Sequence, residues 1–247
     1  MKKVIVIPAR LDSSRLPKKV LLDLKGKTVI QRVYEQCLKV KNIDGVYIAT
    51  DSSEIEEVCR IFTNHIILTK STHQSGTDRI GEAVAGIDCD IVVNVQGDEP
   101  FIDPNLIEEL VHSFDDDQVS MVSAMSKIEN IKDLQDPNVV KVVVDTQNNA
   151  IYFSRAPIPF PRDHQEIIHS NEELKKHHFF RHIGIYGYQK DFLAKYIKMD
   201  QTNLEKLEKL EQLRVIENGF KIKMILANSN LIGIDTQEDY EEALKKY

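Results

Sequence analysis

Short apolar runs alternate with amphipathic segments of helical period through the first half of the chain. The apolar runs predict strands at Lys3–Pro8, Gly45–Thr50, His65–Thr69 and Asp90–Val95. The amphipathic segments predict helices at Thr28–Val40, Ser53–Phe62, Asp78–Gly86 and from Asp103-Pro104 to Val111. Strands that alternate with helices are typical of a mostly parallel sheet covered on both faces. We therefore expect an α/β fold.

Local signals mark where several of these helices begin. Thr28 with Gln31 and Ser53 with Glu56 have the spacing of a capping box. Asp103-Pro104 combines an N-cap residue with a proline at the first helical position. These signals predict helix starts at Thr28, Ser53 and Asp103.

The rhythm changes after residue 118 and becomes richer in strands. Strands are predicted at Val119–Lys127, Val139–Asp145, Ala150–Ser154, His182–Tyr188 and Lys221–Leu226, with a hairpin turn at Gln147-Asn148-Asn149. The segment Pro157–Lys176 predicts a surface excursion, and two helices follow, one from Thr202 to Asn218-Gly219 with a stripe of Leu204, Leu207, Leu210 and Leu213, and one at Thr236–Lys246. We predict a single domain, 1–247, with halves at 1–118 and 119–235.

Composition limits the class of protein. The 247 residues are 42% hydrophobic, and the net charge of −7 argues against a broad nucleic-acid-binding surface. The apolar run Val4–Pro8 is too short for a signal peptide or a membrane span. Cys37, Cys59 and Cys89 form no CxxC pair and are expected to be reduced thiols. We expect a cytoplasmic protein without membrane insertion.

A polar loop with four cations follows the first predicted strand. Ligands of α/β sheets bind at the carboxyl ends of strands, so Arg10, Arg15 and Lys19 are candidates to neutralise a triphosphate. A solvated basic loop is the alternative. The chain lacks both GxxxxGK[ST] and GxGxxG, which argues against a P-loop and against a dinucleotide-binding oxidoreductase.

Two aspartates occupy similar positions. Asp98 follows the buried strand Asp90–Val95 in Gln96-Gly97-Asp98, and Asp235 follows Ile232-Gly233-Ile234. A carboxylate at the end of a strand suits Mg²⁺, which takes one or two protein carboxylates and also binds phosphate oxygens. Asp235 is alternatively the N-cap of the last helix.

The stretch Ser75-Gly76-Thr77-Asp78-Arg79 opens a predicted helix, with Thr77 or Asp78 as the cap. This stretch is compatible with a plain turn followed by a helix cap. It is equally compatible with a loop whose polar groups bind the edge of a nucleobase while Arg79 binds phosphate. Arg155, His182 and Tyr186 lie on strand-like segments of the second half, where such residues are more often structural than ligand-binding.

Taken together, these motifs resemble the CMP-Kdo synthetases, the 3-deoxy-manno-octulosonate cytidylyltransferases. The matching strings, in family order, include IPAR with SSRLP, YIATD, HQSGTDRI, VVNVQGDEPFIDP, AIYFSRAPIP, FFRHIGIYGY and GIDT. The resemblance implies a Rossmann-like nucleotidyltransferase (nucleotide-diphospho-sugar transferase) fold with a β-rich dimerisation region. It implies that the anomeric hydroxyl of Kdo attacks the α-phosphate of CTP, giving CMP-Kdo and pyrophosphate for lipopolysaccharide or capsule synthesis.

The resemblance also implies roles for individual residues. The catalytic group would be Arg10, Lys19, Asp98 and Asp235, with Mg²⁺ held by Asp98 and Asp235. CTP would be bound by Arg10, Arg15, Lys19, Thr50, Ser75, Gly76, Asp78 and Arg79. The sugar pocket would comprise Gln96, Arg155, His182, Tyr186, Glu211 and Gln212. Members of the family are homodimers.

The chain departs from the family pattern at two places. Lys18 replaces the glycine of RLPGKPL, and Leu11-Asp12 replaces an aromatic-small pair. The sequence leaves two points open at Lys18: the backbone conformation at this position, and an extra contact of its side chain with phosphate. The 8-amino analogue of Kdo stays open as the substrate. A sialic-type acid would call for a loop near IPARGGSKRIP, which is missing, and a non-catalytic nucleotide-binding protein predicts loss of the metal carboxylates.

Overall fold

The computed structural model describes residues 1–11, 15–73, 75–163, 167, 169–227 and 233–247, so Asp12 and Ile232 lie outside the described residues. The chain divides into two units. The first comprises residues 1–115, 185–197 and 231–247, and the second comprises residues 116–184 and 198–230. The predicted halves differ from these units because the chain returns twice to the first unit.

Strands and helices alternate as far as residue 112. The strands in chain order are β1 (Lys3–Ala9), β2 (Gly45–Thr50), β3 (Ile66–Leu68), β4 (Ile91–Asn94), β5 (Met121–Lys127), β6 (Lys141–Val144), β7 (Ala150–Ser154), β8 (Phe180–Gln189) and β9 (Lys223–Leu226). The helices are α1 (Val29–Cys37), α2 (Ser53–Cys59), α3 (Gly76–Val84), α4 (Pro104–His112), α5 (Ile131–Gln135), α6 (Asn171–Lys175), α7 (Lys190–Tyr196), α8 (Asn203–Glu208), α9 (Leu213–Glu217) and α10 (Gln237–Lys246).

The first unit is organised around parallel strands. β3, β2, β1 and β4 lie side by side in that order, and each of their pairings is parallel. The end of β8 runs antiparallel to β4, with Tyr186 opposite Asn94. Val4, Ile5, Val6 and Ile7 are each at most 2% exposed, as expected for a strand covered on both faces. The predicted α/β class with a mostly parallel sheet is confirmed.

The second unit contains the predicted hairpin. β6 and β7 pair in antiparallel fashion, and Asn148 in their turn has a φ of 58°. β5 and β9 pair in parallel. The prediction of a surface excursion at Pro157–Lys176 is partly wrong, because Ile167 and Leu174 are buried in an apolar cluster with Ile128, Leu134 and Phe179.

Two helix starts differ from the prediction in the residue that caps them, and a third rules out an alternative that the sequence left open. The hydroxyl of Ser52, rather than that of Ser53, accepts the Ile55 N–H, and Ser75 rather than Thr77 or Asp78 caps α3. Thr236 rather than Asp235 caps α10. In each case the cap is the polar residue whose backbone is still extended, a property of conformation that composition alone does not reveal.

The predicted long helix after Thr202 is interrupted. Lys209 has a φ of 54° and ends α8, and α9 begins four residues later, at Leu213. Leu207, predicted on the apolar stripe, is 71% exposed, whereas Glu205 is 5% exposed and accepts hydrogen bonds from Arg214. The continuous stripe was therefore a wrong prediction, although the Thr202 cap was correct.

The three cysteines are buried free thiols, as the sequence predicts. Burial raises the pKa of Cys59 to about 12 and also raises that of Cys37. Within the described residues, none of the helices combines the length and apolar character that crossing a bilayer requires.

Candidate active site

Two aspartates and a lysine meet at the carboxyl ends of the parallel strands. The Lys19 ammonium contacts a carboxylate oxygen of Asp98 and lies 2.6 Å from Oδ1 of Asp235. Arg15 contacts the other oxygen of Asp235 at 3.1 Å. The Ile234 N–H donates to the Asp98 carbonyl at 2.9 Å, which fixes the two acidic segments beside each other. The structure thus brings Asp98 and Asp235 together, and their role as metal ligands stays a prediction.

The close approach of the β1 and β4 ends explains the glycine beside Asp98. A Cβ atom at Gly97 would lie 3.0 Å from the carbonyl oxygen of Pro8. Any side chain there would push apart the loop that carries the cations and the loop that carries Asp98. Close packing against Pro8 therefore explains why a glycine precedes Asp98 in the Gln-Gly-Asp sequence.

The charged residues shift one another's proton affinity. Burial by itself would lower the pKa of Lys19, but the charge of Asp98 and the hydrogen bond to Asp235 raise it above the usual value. Burial would raise the pKa of Asp235, but the hydrogen bond from Lys19 and the charges of Lys19 and Arg15 lower it. At neutral pH Asp235 is therefore ionised and Lys19 is protonated.

A cavity of about 180 Å³ opens over this cluster. Six predicted site residues line it: Arg10, Arg15, Lys19, Gln96, Asp98 and Asp235. The cavity wall thus combines cations for phosphate oxygens with carboxylates for a hard cation.

A second cavity of about 130 Å³ shares the wall formed by Pro8, Ala9, Arg10 and Gln96. Its other side is formed by His73, Ser75, Gly76 and Arg79. A Cβ at Gly76 would lie 3.4 Å from the Pro8 ring, an ordinary van der Waals contact, so Gly76 and Pro8 pack closely where they line this cavity. His73 was not among the predicted ligands; its place beside Ser75 in the HQSGTDRI string was the available signal.

Three predicted nucleotide ligands have other local partners. Arg79 is 4% exposed, and its guanidinium donates to Asp51 at 2.8 Å and to Thr69 at 2.6 Å. Thr50 is fully buried and accepts the Ser52 N–H. Asp78 lines a different cavity, with Glu82 among its neighbours. The roles of Thr50 and Asp78 at the nucleotide stay predictions without geometric support from these two cavities.

Arg155 belongs to the second unit, where its side chain donates hydrogen bonds to backbone carbonyl groups. Its guanidinium donates to the carbonyl oxygens of Glu208, Pro137 and Lys209 at 2.7, 2.9 and 3.5 Å. Helix ends leave carbonyl groups without partners inside the helix, and Arg155 satisfies those at the end of α8. Its predicted contact with the sugar therefore stays a prediction, and the structure gives the side chain a clear structural role.

Glu208 completes this arrangement and was missed by sequence reasoning. Its carboxylate accepts hydrogen bonds from Ser154 Oγ at 2.7 Å, from the Arg155 N–H at 3.0 Å and from the Tyr152 hydroxyl at 3.4 Å. These hydrogen bonds lower its pKa against the opposing effect of burial. Within the LEKLEKLEQ repeat-like run, no feature distinguishes this glutamate from its neighbours.

His182 and Gln212 contact each other in the second unit. The Gln212 Nε2 atom lies 3.4 Å from His182 Nδ1, and Glu211 is the preceding residue. Tyr186, which belongs to the first unit, lies opposite Asn94 and is 6% exposed. Of the predicted sugar ligands, the structure thus brings together His182 and Gln212, while Gln96 lines the charged cavity.

Lys18, the residue at the family's glycine position, adopts the left-handed conformation with φ 53° and ψ 27°. Its ammonium donates to the two carboxylate oxygens of Glu54 at 2.7 and 2.8 Å. The Lys18 side chain therefore forms an ion pair with a residue of α2.

Comparisons with known proteins identify the family of the chain. The profile of the family described as Cytidylyltransferase matches residues 4–223. The chain is 48% identical to the 3-deoxy-manno-octulosonate cytidylyltransferase of Francisella tularensis subsp. holarctica (strain FTNF002-00 / FTA), over 98% of this chain and 97% of that protein. It is 41% identical to the protein of the same name from Geobacter metallireducens (strain ATCC 53774 / DSM 7210 / GS-15), over 100% and 98%.

Solved structures give the same result. The structure of CMP:2-keto-3-deoxy-manno-octonic acid synthetase complexed with CTP superposes with a TM-score of 0.91 at 38% identity, covering 100% of this chain and 98% of that one. A cytidylyltransferase from Leptospira borgpetersenii serovar Hardjo-bovis (strain JB197), at 18% identity and a TM-score of 0.62, shares the fold. The chain belongs to the cytidylyltransferase family, and within it to the 3-deoxy-manno-octulosonate cytidylyltransferases.

Proposed function

We propose that the protein transfers CMP from CTP to 3-deoxy-D-manno-octulosonate, giving CMP-Kdo and pyrophosphate. One observation carries the proposal: Lys19 joins Asp98 and Asp235 inside a cavity that Arg10 and Arg15 also line. The names of full-length relatives at 41–48% identity supply the nucleotide and the sugar.

The reaction requires alignment and charge neutralisation. The anomeric oxygen of the sugar forms a bond to the α-phosphorus of CTP, the bond from that phosphorus to the bridging oxygen of pyrophosphate breaks, and the hydroxyl proton is released. Arg10, Arg15 and Lys19 neutralise the triphosphate and hold the α-phosphate in line with the attacking oxygen. The adjoining cavity, beside Ser75 and Gly76, accommodates the cytidine.

The donor set fits magnesium. The carboxylates of Asp98 and Asp235 converge on one point, because the positively charged Lys19 ammonium contacts an oxygen of each. These residues would hold Mg²⁺, which supplies charge neutralisation at the phosphates and lowers the pKa of a bound hydroxyl. This chain's own contribution is to place the two carboxylates beside the phosphate-binding cations.

The candidate ligands of the sugar acid are those that the family resemblance implies: Gln96, Arg155, His182, Tyr186, Glu211 and Gln212. Cytoplasmic location, a homodimer formed through the β-rich region, and a product used for lipopolysaccharide or capsule belong to the same proposal.

A coupled pyrophosphate assay tests the function. We expect pyrophosphate release with CTP and Kdo or its 8-amino analogue in the presence of Mg²⁺, and loss of release when EDTA removes the metal. A sialic acid should give little turnover. The comparison of the two octulosonates decides the preferred substrate, and no release with either one would refute the proposal.

Two variants test the carboxylates. Asp98→Asn and Asp235→Asn should reduce turnover by at least about a hundredfold, because each removes a negative charge that would hold Mg²⁺ beside the reacting phosphates. Their circular dichroism and urea midpoints should remain close to those of the parent. Asp116→Asn, at an exposed position, serves as the matched control and should keep full activity. Activity in both site variants would contradict the metal assignment.

A further inference from the structure

A buried asparagine holds the side chain of Gln96, which lines both cavities of the candidate active site. The Gln96 Nε2 atom donates to Oδ1 of Asn94 at 3.2 Å. Asn94 ends β4 and is 1% exposed, with Val6 of β1 and Tyr186 of β8 paired on either side of it. Because Asn94 does not belong to the wall of either cavity, it can act on a ligand there only through Gln96.

This hydrogen bond determines which end of the Gln96 carboxamide faces the ligand. The nitrogen of a carboxamide only donates hydrogen bonds, and its oxygen only accepts them. Since the nitrogen is directed to Asn94, the oxygen is directed to the other side of the group. A Cβ atom placed on Gly76 would lie 3.8 Å from this oxygen, and Gly76 lines the second cavity. Gln96 thus presents a hydrogen-bond acceptor to the second cavity.

The position of Gln96 between the two cavities indicates which part of a nucleotide it meets. Under the proposed function, the triphosphate lies in the charged cavity and the base lies in the second one, so the ribose passes the wall that they share. Gln96 belongs to that shared wall, together with Pro8, Ala9 and Arg10. Ribose carries hydroxyl groups that donate hydrogen bonds, and a carboxamide oxygen is a matching acceptor.

We propose that Asn94 is a positioning residue that turns the Gln96 carboxamide so that its oxygen accepts a hydrogen bond from a ribose hydroxyl of CTP. The pair thereby selects CTP over a nucleotide without that hydroxyl, because an acceptor left without its donor lowers affinity. Gln96, which the family resemblance implies as a sugar ligand, is assigned to the nucleotide. This inference rests on the proposed function for the identity of the nucleotide.

Calorimetry of the full-length protein with Mg²⁺ and without a sugar acid measures this selectivity in the absence of turnover. The ligands are CTP, 2′-deoxy-CTP and 3′-deoxy-CTP, and the measured quantity is the Kd of each analogue divided by the Kd of CTP. We expect a ratio of about five to ten for the analogue that lacks the bound hydroxyl. Ratios below about two for both analogues would overturn the proposal.

Variants at position 94 test the positioning role. Asn94→Leu has a similar size but no acceptor, so the Gln96 amide is free to turn over and the ratio should fall to about two or less. Asn94→Asp keeps an oxygen acceptor and should keep the ratio of the parent. Val92→Ala alters a fully buried position on the same face of β4 and is the matched control, with an unchanged ratio. An unchanged ratio in Asn94→Leu, or an equal fall in Asn94→Asp or Val92→Ala, would overturn this role.

Variants at Gln96 test which atom of its side chain meets the ribose. Gln96→Glu keeps oxygen atoms toward the cavity, and Nδ2 of Asn94, which is buried without a hydrogen-bond partner in the described part of the chain, gains the new carboxylate as its acceptor. The added negative charge should weaken binding of all three nucleotides, but the ratio should stay. Gln96→Met has no acceptor and should lower the ratio as Asn94→Leu does. Loss of the ratio in Gln96→Glu would show that the amide nitrogen meets the ligand, which would overturn the proposal.

Turnover separates this inference from the proposed function. If the parent protein binds CTP but releases no pyrophosphate with any sugar acid, the proposed function fails, and the calorimetric ratios still decide the role of Asn94. If Asn94→Leu instead raises KM for Kdo and leaves the nucleotide ratio unchanged, Gln96 binds the sugar. The inference then fails while the proposed function stands.

Discussion

Lys18 holds its backbone in the left-handed region directly before the turn that carries Lys19. Residues with a Cβ atom adopt this conformation at a cost of about 1–2 kcal/mol, whereas glycine adopts it freely. Replacing Lys18 with glycine or with alanine removes the same ion pair to Glu54, but only glycine also removes the backbone strain. The comparison of Lys18→Gly with Lys18→Ala therefore isolates the backbone contribution.

The expected difference follows from three terms. The ion pair joins side chains that are 57% and 46% exposed, so it contributes at most about 1 kcal/mol, and its loss cancels between the two variants. Relief of strain favours the glycine variant by about 1–2 kcal/mol. The greater freedom of glycine in the unfolded chain offsets about 0.5–1 kcal/mol of this gain. Lys18→Gly should thus be more stable than Lys18→Ala by about 0.7 kcal/mol, the middle of a range of about 0–1.5 kcal/mol.

Urea unfolding followed by circular dichroism measures the difference. Glu57, exposed within α2, provides a matched control, because at an ordinary helical position glycine is less stable than alanine by about 1 kcal/mol. The glycine-alanine order should therefore reverse between positions 18 and 57. The same order at both positions would refute the strain argument. A raised KM for CTP in both Lys18 variants would show that the ammonium contacts phosphate instead of only Glu54.

Three further predictions concern stability and reactivity. Glu205→Ala should lower the free energy of unfolding in urea by about 3–5 kcal/mol, because it leaves the mostly buried Arg214 without its carboxylate; a loss below 1 kcal/mol would contradict this. Burial lowers the pKa of His182 to about 3, so the unfolded chain binds the extra proton between pH 6.5 and 3. The free energy of unfolding should therefore decrease as the pH is lowered below about 6.5, by about 2 kcal/mol between pH 8 and pH 5. His182→Gln should make this pH dependence weaker. The three cysteines should react with a thiol reagent only after denaturation, because all are buried; rapid reaction of the native protein would exclude this burial.

The parallel strands and the charged cavity could be predicted because their signals are local. A fully buried strand shows a continuous apolar run, and the residues that follow it lie at the carboxyl edge of the sheet. Asp98 and Lys19 are both found in this way, although 79 positions separate them in the chain (98 minus 19). Sequence alone could not exclude that Asp235 only caps a helix; Thr236 takes that role in the structure.

The errors arise where a distant partner decides the local structure. The leucine spacing after Thr202 favours one long helix, but Lys209 turns to the left-handed conformation and the pair of Glu205 with Arg214 takes the buried position. Arg155 stays a predicted sugar ligand, but nothing in the sequence indicated that its guanidinium donates to three backbone carbonyls. Arg155 follows strand β7, and the residue pattern of that strand gives no sign that carbonyl groups at the end of helix α8 need a hydrogen-bond donor.

The charges that line the main cavity explain why a divalent cation belongs in the proposed reaction. Three cations, Arg10, Arg15 and Lys19, face two carboxylates, Asp98 and Asp235, which leaves one net positive charge (three minus two). A triphosphate carries more negative charge than this wall offsets, and the sugar acid adds a carboxylate. Lys19 is moreover already paired with both aspartates, so its charge is available to the phosphates only when another cation takes over the carboxylates. Binding of CTP should therefore become much tighter with Mg²⁺ than without it, and in Asp235→Asn, where Lys19 has one competitor fewer, the dependence on Mg²⁺ should weaken.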